Sequence, residues 1–287
     1  MIAVWKHELR SAFHSLTVYL FCAALLAFVG VGAMMYNIQS AYANFEYALG
    51  YVSVGLVVII PVLTMRSFAE ERRQKTDQLL YSLPLKTWQI VAGKYLSLVT
   101  MFFLPMAIIS VYPYLFSRYG EVYLPGSYGA ILAFFVLGAA LIAVGMLISS
   151  LTDNQGFAAG IAIVVFLLNY FSVSLAEQVS ETIFGSAVVL CLVSILAGVV
   201  IRNLTRSNAI GFGIGGGLFA LVLAAYFTND SWFENLLPNI MKKLSLFERF
   251  YTFVDGVFDG TGLVFYGSVI ALGLFLTVQS LEKRRYN

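Results

Sequence analysis

The stretch between residues 66 and 94 carries the side chains best suited to bind a partner. Opposite charges recur there four residues apart in three pairs: Arg66 with Glu70, Glu71 with Lys75, and Arg73 with Asp77. Each such pair stabilises a helix by about 0.2–0.5 kcal/mol, so the pattern predicts a short charged helix. Pro84 ends it, because residues before a proline avoid the helical conformation.

A charged run usually forms only a solvated face. This run is denser in charge than a connecting segment needs, and Leu79, Leu80 and Leu83 add an apolar edge. The combination favours a docking element that receives force from a soluble protein.

The sequence contains no recognisable catalytic or nucleotide-binding motif. Gly93-Lys94 is followed by Tyr95, and position 88 is tryptophan, so no phosphate-binding loop is formed. The two histidines, His7 and His14, lie seven residues apart and do not form a metal motif. We therefore expect no enzyme activity and no cofactor or metal on this chain.

Composition determines the class of protein that holds these residues. Of the 287 residues, 60% are hydrophobic and 11% are charged, whereas soluble domains carry about 25% charged residues. Together with apolar runs near twenty residues long, this excludes a soluble or disordered chain and predicts a polytopic membrane protein. A net charge of +2 without a basic stripe argues against binding to nucleic acid.

The apolar runs predict an all-α bundle of about eight membrane-spanning helices. The chain lacks the ten-residue alternating pattern of a membrane barrel. The predicted spans are 16–36, 49–65, 95–116, 128–150, 157–176, 182–201, 210–227 and 262–281. The pair at 182–227 also fits a re-entrant hairpin, which would leave six spans.

The distribution of Lys and Arg predicts the orientation. With the N-terminus in the cytoplasm, 13 of the 17 basic residues fall on the cytoplasmic side, as the positive-inside rule requires. Both termini are therefore expected in the cytoplasm. The predicted layout is a single transmembrane domain at 16–281, with a cytoplasmic loop at 66–94 and a cytoplasmic basic tail at 282–287. An uncleaved first span with this orientation fits a bacterial inner membrane.

Two amphipathic segments lie outside the predicted spans. In residues 1–15 the apolar side chains recur at three- and four-residue steps, which predicts an interfacial helix on the cytoplasmic side. In the outer loop at 228–260 five apolar residues share one helical stripe: Ile240, Leu244, Phe247, Tyr251 and Val254. We expect one amphipathic helix on the outer leaflet, either as a connector resting on lipid or as an external gate.

Polar and small residues inside the spans give weaker expectations. No Asp or Glu lies well inside a predicted span, which counts against an ion-coupled carrier. Asn169 is expected to bond a neighbouring helix rather than line a path. Gly156 and Gly160, four residues apart, predict a close approach of two helices.

Several motifs resemble one family over most of the chain. They are Met65-Arg66, Glu70-Glu71-Arg72, Lys75-Thr76-Asp77, Leu79-Leu80, Leu83-Pro84, Gly93-Lys94, the turn at 147–155 and the ending Leu281-Glu282-Lys283-Arg284-Arg285. The run at 65–94 resembles the cytoplasmic loop of ABC-2 type permease subunits. The ending resembles a bacterial subgroup related to gliding-associated permeases. Many family members are described with six spans, so the predicted eight depart from that pattern.

The resemblance implies the permease subunit of an ATP-driven exporter. ATP and Mg would bind a separate cytoplasmic ATPase, and a second permease subunit, identical or different, would complete a dimer. The coupling helix that docks the ATPase would comprise Arg66, Glu70, Glu71, Arg72, Arg73, Lys75, Thr76, Asp77, Gln78, Leu79 and Leu80. The alternatives are an ion-coupled secondary transporter of apolar solutes and a non-transporting membrane scaffold. The apolar spans favour a lipid, an amphipathic peptide or a hydrophobic drug as substrate.

Overall fold

The computed structural model describes residues 1–75, 85–178 and 236–285, with a few single positions between 191 and 221. Regular structure in the described residues is helical. The helices are α1 (Ile2–Phe13), α2 (Leu16–Ala33), α3 (Glu46–Thr64), α4 (Arg66–Arg73), α5 (Thr87–Ile109), α6 (Val111–Phe116), α7 (Leu124–Leu151), α8 (Gln155–Tyr170), α9 (Ser172–Gln178), α10 (Leu236–Leu244), α11 (Leu246–Val254) and α12 (Gly260–Arg285). A π-helical turn, Met34–Gln39, continues α2.

The chain divides into two compact units. The first unit comprises Met1–Tyr170 and Leu246–Asn287, and the second comprises Phe171–Ser245. Helices α9 and α10 belong to the second unit, where they pack against each other. All other helices belong to the first unit, which therefore holds every ion pair described below.

Five helical stretches in the described residues are long and apolar enough to cross a membrane. They are Leu16–Gln39, Glu46–Arg73, Thr87–Phe116, Leu124–Leu151 and Gly260–Arg284. These stretches correspond to five of the eight predicted spans and confirm an all-α polytopic bundle. At the predicted span 157–176 the structure has instead a 16-residue helix that ends at Tyr170. The predicted spans at 182–201 and 210–227 lie largely outside the described residues, so the count of eight stays a prediction.

Helices α3 and α7 form the centre of the first unit. In the stretches that contain α3 and α7, 72% of an 18-residue apolar segment is buried inside the protein. The corresponding share is 22–39% in the stretches that contain α2, α5 and α12. Small residues let α7 sit in this central place, because a Cβ at Gly138 would overlap the Phe102 ring and one at Gly145 would overlap the Thr64 side chain. The exposed apolar faces of the outer helices suit contact with lipid.

Helix α1 lies against α5 at a glycine. A Cβ at Gly93 would approach Val4 Cβ to 2.9 Å, so only glycine permits this spacing. The Trp5 indole Nε1 also donates to Thr100 Oγ1 at 3.2 Å. The predicted amphipathic helix at the N-terminus is therefore present, and its residues contact the start of a membrane-spanning helix.

Helix α12 begins with a side-chain cap. The Asp259 carboxylate accepts hydrogen bonds from the Thr261 hydroxyl and from the backbone N–H groups of Thr261 and Gly262. The bonds from Thr261 hold the pKa of the Asp259 carboxyl below the ordinary aspartate value. An ionised aspartate at this position satisfies N–H groups that have no partner within the helix.

Candidate functional site

The charged helix predicted after the second span is shorter than its sequence pattern suggests. Helix α4 runs from Arg66 to Arg73, and Lys75 follows with a left-handed φ of +58°. The pair of Glu71 with Lys75 therefore lacks the helical geometry that was predicted for it. Arg66 also departs from the prediction, since its guanidinium donates to Thr17 Oγ1 at 2.8 Å and not to Glu70.

The predicted docking residues divide by exposure. Arg66, Arg73 and Lys75 are exposed, and Glu70 and Glu71 are half-buried. The Arg72 side chain is only 5% exposed, so it points into the bundle and offers little surface to a partner. The remaining predicted docking residues lie outside the described part of the chain: Thr76, Asp77, Gln78, Leu79 and Leu80.

The Ser149 hydroxyl fastens α4 to the central helix. The helical hydrogen bonding of α3 breaks at Met65, and Ser149 Oγ lies at the break. It accepts from the backbone N–H groups of Phe68 and Ala69 at 3.2 Å each and donates to the Met65 carbonyl at 3.1 Å. One hydroxyl thus bonds three backbone groups at the break between α3 and α4. Phe68 and Ala69 are themselves buried, which fixes the inner face of α4.

A buried lysine joins α4 to two other helices. Lys94, on α5, is 3% exposed and its Nζ lies 2.6 Å from Glu71 of α4 and 2.8 Å from Glu8 of α1. The same ammonium lies 5.3 Å from the centre of the Phe68 ring. A buried ammonium needs such partners, because its charge is costly without them. The sequence pattern places Lys94 only at the end of the cytoplasmic loop, whereas the structure makes it the centre of a three-helix contact.

An aspartate in the turn after α7 makes a second charged contact. Asp153 Oδ1 lies 2.9 Å from Arg284 of α12 and 3.6 Å from Arg72 of α4. The same arginines donate to backbone carbonyls at the end of α7, Arg284 to Leu151 and Arg72 to Thr152. Cations at these carbonyls also complement the negative end of the α7 dipole. The side chain of Asn154 then caps α8.

These contacts bring four distant segments to one end of the first unit. Ion pairs link α1, α4, the turn at 152–154 and the end of α12. The predicted topology requires this arrangement, since it assigns all four segments to the same membrane side. Their compartment stays a prediction.

The predicted outer helix is two helices. Ser245 separates α10 from α11, and the backbone N–H of Leu246, which starts α11, donates to Asn169 Oδ1 at 2.9 Å. This side-chain partner lets a new helix begin there, so the continuous stripe predicted from spacing was wrong. It also confirms that Asn169 bonds a neighbouring helix.

The gate candidates fall into different surroundings. Ile240 and Leu244, on α10 in the second unit, are exposed. Phe247 of α11 is 1% exposed and belongs to the core of the first unit. The Tyr251 hydroxyl, also on α11, lies 3.3 Å from the hydroxyls of both Ser53 and Tyr170. Helix α11 is therefore a packed element of the bundle rather than a helix resting on lipid.

The long apolar helices define a multi-pass integral membrane protein. Residues 26–183, more than half of the chain, match the family described as ABC-2 family transporter protein. The chain belongs to this family of membrane transport proteins. The match includes α4, Lys94 and the turn at 152–154. Comparison with curated proteins found no match.

Proposed function

We propose that this chain is the permease subunit of an ATP-driven exporter in a bacterial inner membrane. A separate cytoplasmic ATPase binds ATP and Mg and docks on α4 and the segment that follows it. Two permease subunits, identical or different, enclose the path. The resemblance of the C-terminal tail to gliding-associated permeases is part of this proposal.

The observation that carries the proposal is the firm attachment of α4 to the membrane helices. Its inner face is held by Ser149 and by the Lys94 and Asp153 contacts, while Arg66, Arg73 and Lys75 remain exposed. A helix that is rigidly held on one face and charged on the other is suited to transmit a push. A movement of α4 would reach α5 through Lys94 and α12 through Asp153 and Arg284.

The structure changes the choice of docking residues to test. Glu71 and Arg72 make internal ion pairs, so their substitution would disturb the bundle as well as a partner. Arg73 and Lys75 are exposed. The double variant Arg73→Glu with Lys75→Glu should weaken association with the partner ATPase about tenfold or more through charge repulsion. Co-purification and ATPase stimulation measure this effect.

The control for the double variant reverses an exposed charge far from α4 in the predicted topology. Arg118→Glu, in the predicted outer loop after α6, should leave ATPase association unchanged. Equal association by both variants and the native chain would remove the docking role of α4. Solute movement driven by an ion gradient in vesicles containing this chain alone would favour a secondary transporter instead. An ATPase complex that moves no solute would favour a scaffold.

On the outer side, fewer residues can form a gate than the sequence pattern suggested. Phe247 and Tyr251 serve the packing of the first unit, so an external gate would depend on the exposed side chains Ile240 and Leu244. The apolar helices favour a lipid, an amphipathic peptide or a hydrophobic drug as the exported substrate.

A further inference from the structure

A cleft of about 380 Å³ opens beside α4 in the first unit. It lies among α1, the start of α2, the junction of α3 with α4, and α5. Its buried lining residues include four apolar side chains, Val18, Leu63, Leu98 and Met101, beside the polar Ser97 and Lys94. Its exposed lining residues are polar or charged and include Arg66 and His7. The four apolar side chains form the apolar floor of an amphiphilic cleft, and its rim is polar.

Two charged residues on the rim, Arg66 and Glu70, do not form an ion pair with each other. Arg66 donates to the Thr17 hydroxyl, and Glu70 accepts from Gln74 Nε2 at 3.3 Å. Within the described part of the chain neither residue forms an ion pair. By contrast, Glu8 and Glu71, which also line the cleft, both form ion pairs with Lys94. The cleft thus presents one cation and one anion a helical turn apart, with about 5–6 Å between their Cβ atoms.

The position of the cleft along the helices suggests a lipid. Val18, Leu63 and Leu98 lie in helical stretches that are apolar enough to span a membrane. Arg66 and Glu70 follow where the apolar part of the second stretch ends. This change from apolar to charged side chains occurs at the depth of phospholipid headgroups, where long cationic side chains commonly reach the interface.

We propose that this cleft binds a phospholipid whose headgroup carries both a phosphate and a primary ammonium. Arg66 and the Thr17 hydroxyl bind the phosphate, Glu70 binds the ammonium, and the first acyl methylenes contact the apolar floor. The guanidinium suits phosphate because it presents several donors in a planar fork. An anionic headgroup without an ammonium places negative charge beside Glu70. A trimethylammonium group has no N–H to donate to the Glu70 carboxylate.

The test measures retained lipid on the purified full-length chain. Phosphatidylethanolamine, phosphatidylcholine and phosphatidylglycerol with identical acyl chains are added in detergent, and bound lipid is counted by native mass spectrometry. We expect phosphatidylethanolamine to bind about tenfold more tightly than the other two, as expected for a charge-assisted hydrogen bond.

Substitutions then locate the site. Arg66→Gln and Glu70→Gln should each weaken phosphatidylethanolamine binding about tenfold, and Arg66→Lys should retain most of it. Glu70→Gln should also reduce the preference over phosphatidylglycerol. Arg10→Gln is the control, because Arg10 is exposed on α1 and does not line the cleft. A single sharp elution peak for each variant confirms folding.

Two results would overturn the proposal. One is equal retention of the three lipids by the native chain. The other is unchanged binding in both Arg66→Gln and Glu70→Gln. O-phosphoethanolamine, which has no acyl chains, should bind more weakly than the lipid, and equal binding would refute the role of the apolar floor. The experiment uses no ATPase, so it stands apart from the transport proposal.

Discussion

Lys94 is the residue on which the charged end of the first unit depends. Its ammonium is buried, yet it contacts carboxylates from two other helices at 2.6 and 2.8 Å. Those carboxylates are partly exposed, with 28% of the Glu8 side chain and 23% of the Glu71 side chain accessible. Of the three charged groups, only the Lys94 ammonium is fully buried. Its removal would leave the Glu8 and Glu71 carboxylates close together without a counter-charge.

Replacing Lys94 with methionine should destabilise the protein by about 3 kcal/mol, because two carboxylates lose their common counter-charge. Unfolding in mixed detergent micelles with increasing dodecyl sulfate measures this change. The triple variant Glu8→Gln, Glu71→Gln, Lys94→Met should be more stable than Lys94→Met alone, since it leaves no unpaired charge.

Lys6→Met is the control for that experiment. Lys6 is exposed on α1, so its replacement should change stability by less than about 0.5 kcal/mol. A Lys94→Met variant as stable as Lys6→Met would show that the three-residue contact contributes nothing to stability.

At the scale of elements, α7 organises the first unit through close approach. Gly138 faces the buried Phe102 ring of α5, and Gly145 faces Thr64 at the end of α3. These glycines are seven residues apart and lie two turns apart on one face of α7. Among the residues that the structure describes, the predicted pair of Gly156 with Gly160 makes no such close contact: a Cβ at Gly160 meets nothing within 4 Å, and one at Gly156 meets Asn154 Oδ1 at 3.5 Å.

Gly138→Ala should destabilise the protein by about 1–3 kcal/mol, because the new methyl overlaps a buried ring that cannot move aside. Thermal unfolding in detergent measures the loss. Gly160→Ala is the matched control on α8, and it should be neutral or slightly stabilising, since alanine favours a helix more than glycine. A stable Gly138→Ala variant would mean that α5 and α7 separate without cost.

For the whole molecule, the orientation in the membrane remains a prediction. Ion pairs place α1, α4, the turn at 152–154 and the end of α12 at one end of the first unit. The bias of basic residues predicts that this end faces the cytoplasm. Tyr119, in the predicted outer loop, is 92% exposed.

Single thiols at positions 74 and 119 should report opposite sides of the membrane. After Cys22→Ser and Cys191→Ser, Gln74→Cys and Tyr119→Cys are made separately. An impermeant maleimide applied to intact cells should label position 119 readily, and position 74 only after permeabilisation. The reverse pattern would invert the topology and place α4 away from a cytoplasmic ATPase.

Local sequence patterns predicted the charged helix α4 better than they predicted the contacts that it makes. Spacing correctly indicated a helix starting at Arg66, since pairs four residues apart favour one. It did not predict where the helix ends, because Glu71 pairs with Lys94, which is 23 positions away in sequence. The prediction of one continuous outer helix was wrong for the same reason. Asn169, far from Leu246 in sequence, supplies the hydrogen bond that lets α11 begin as a separate helix.

The sequence alone determined that this is a helical membrane protein, because a span needs only a run of apolar residues and its own backbone hydrogen bonds. Its local motifs also indicated the transporter family. Tertiary structure decided which charges pair, since Lys94, Ser149 and Asp153 find their partners on other helices. Such contacts depend on how helices pack, and packing is set by small residues such as Gly138 that no local periodicity identifies.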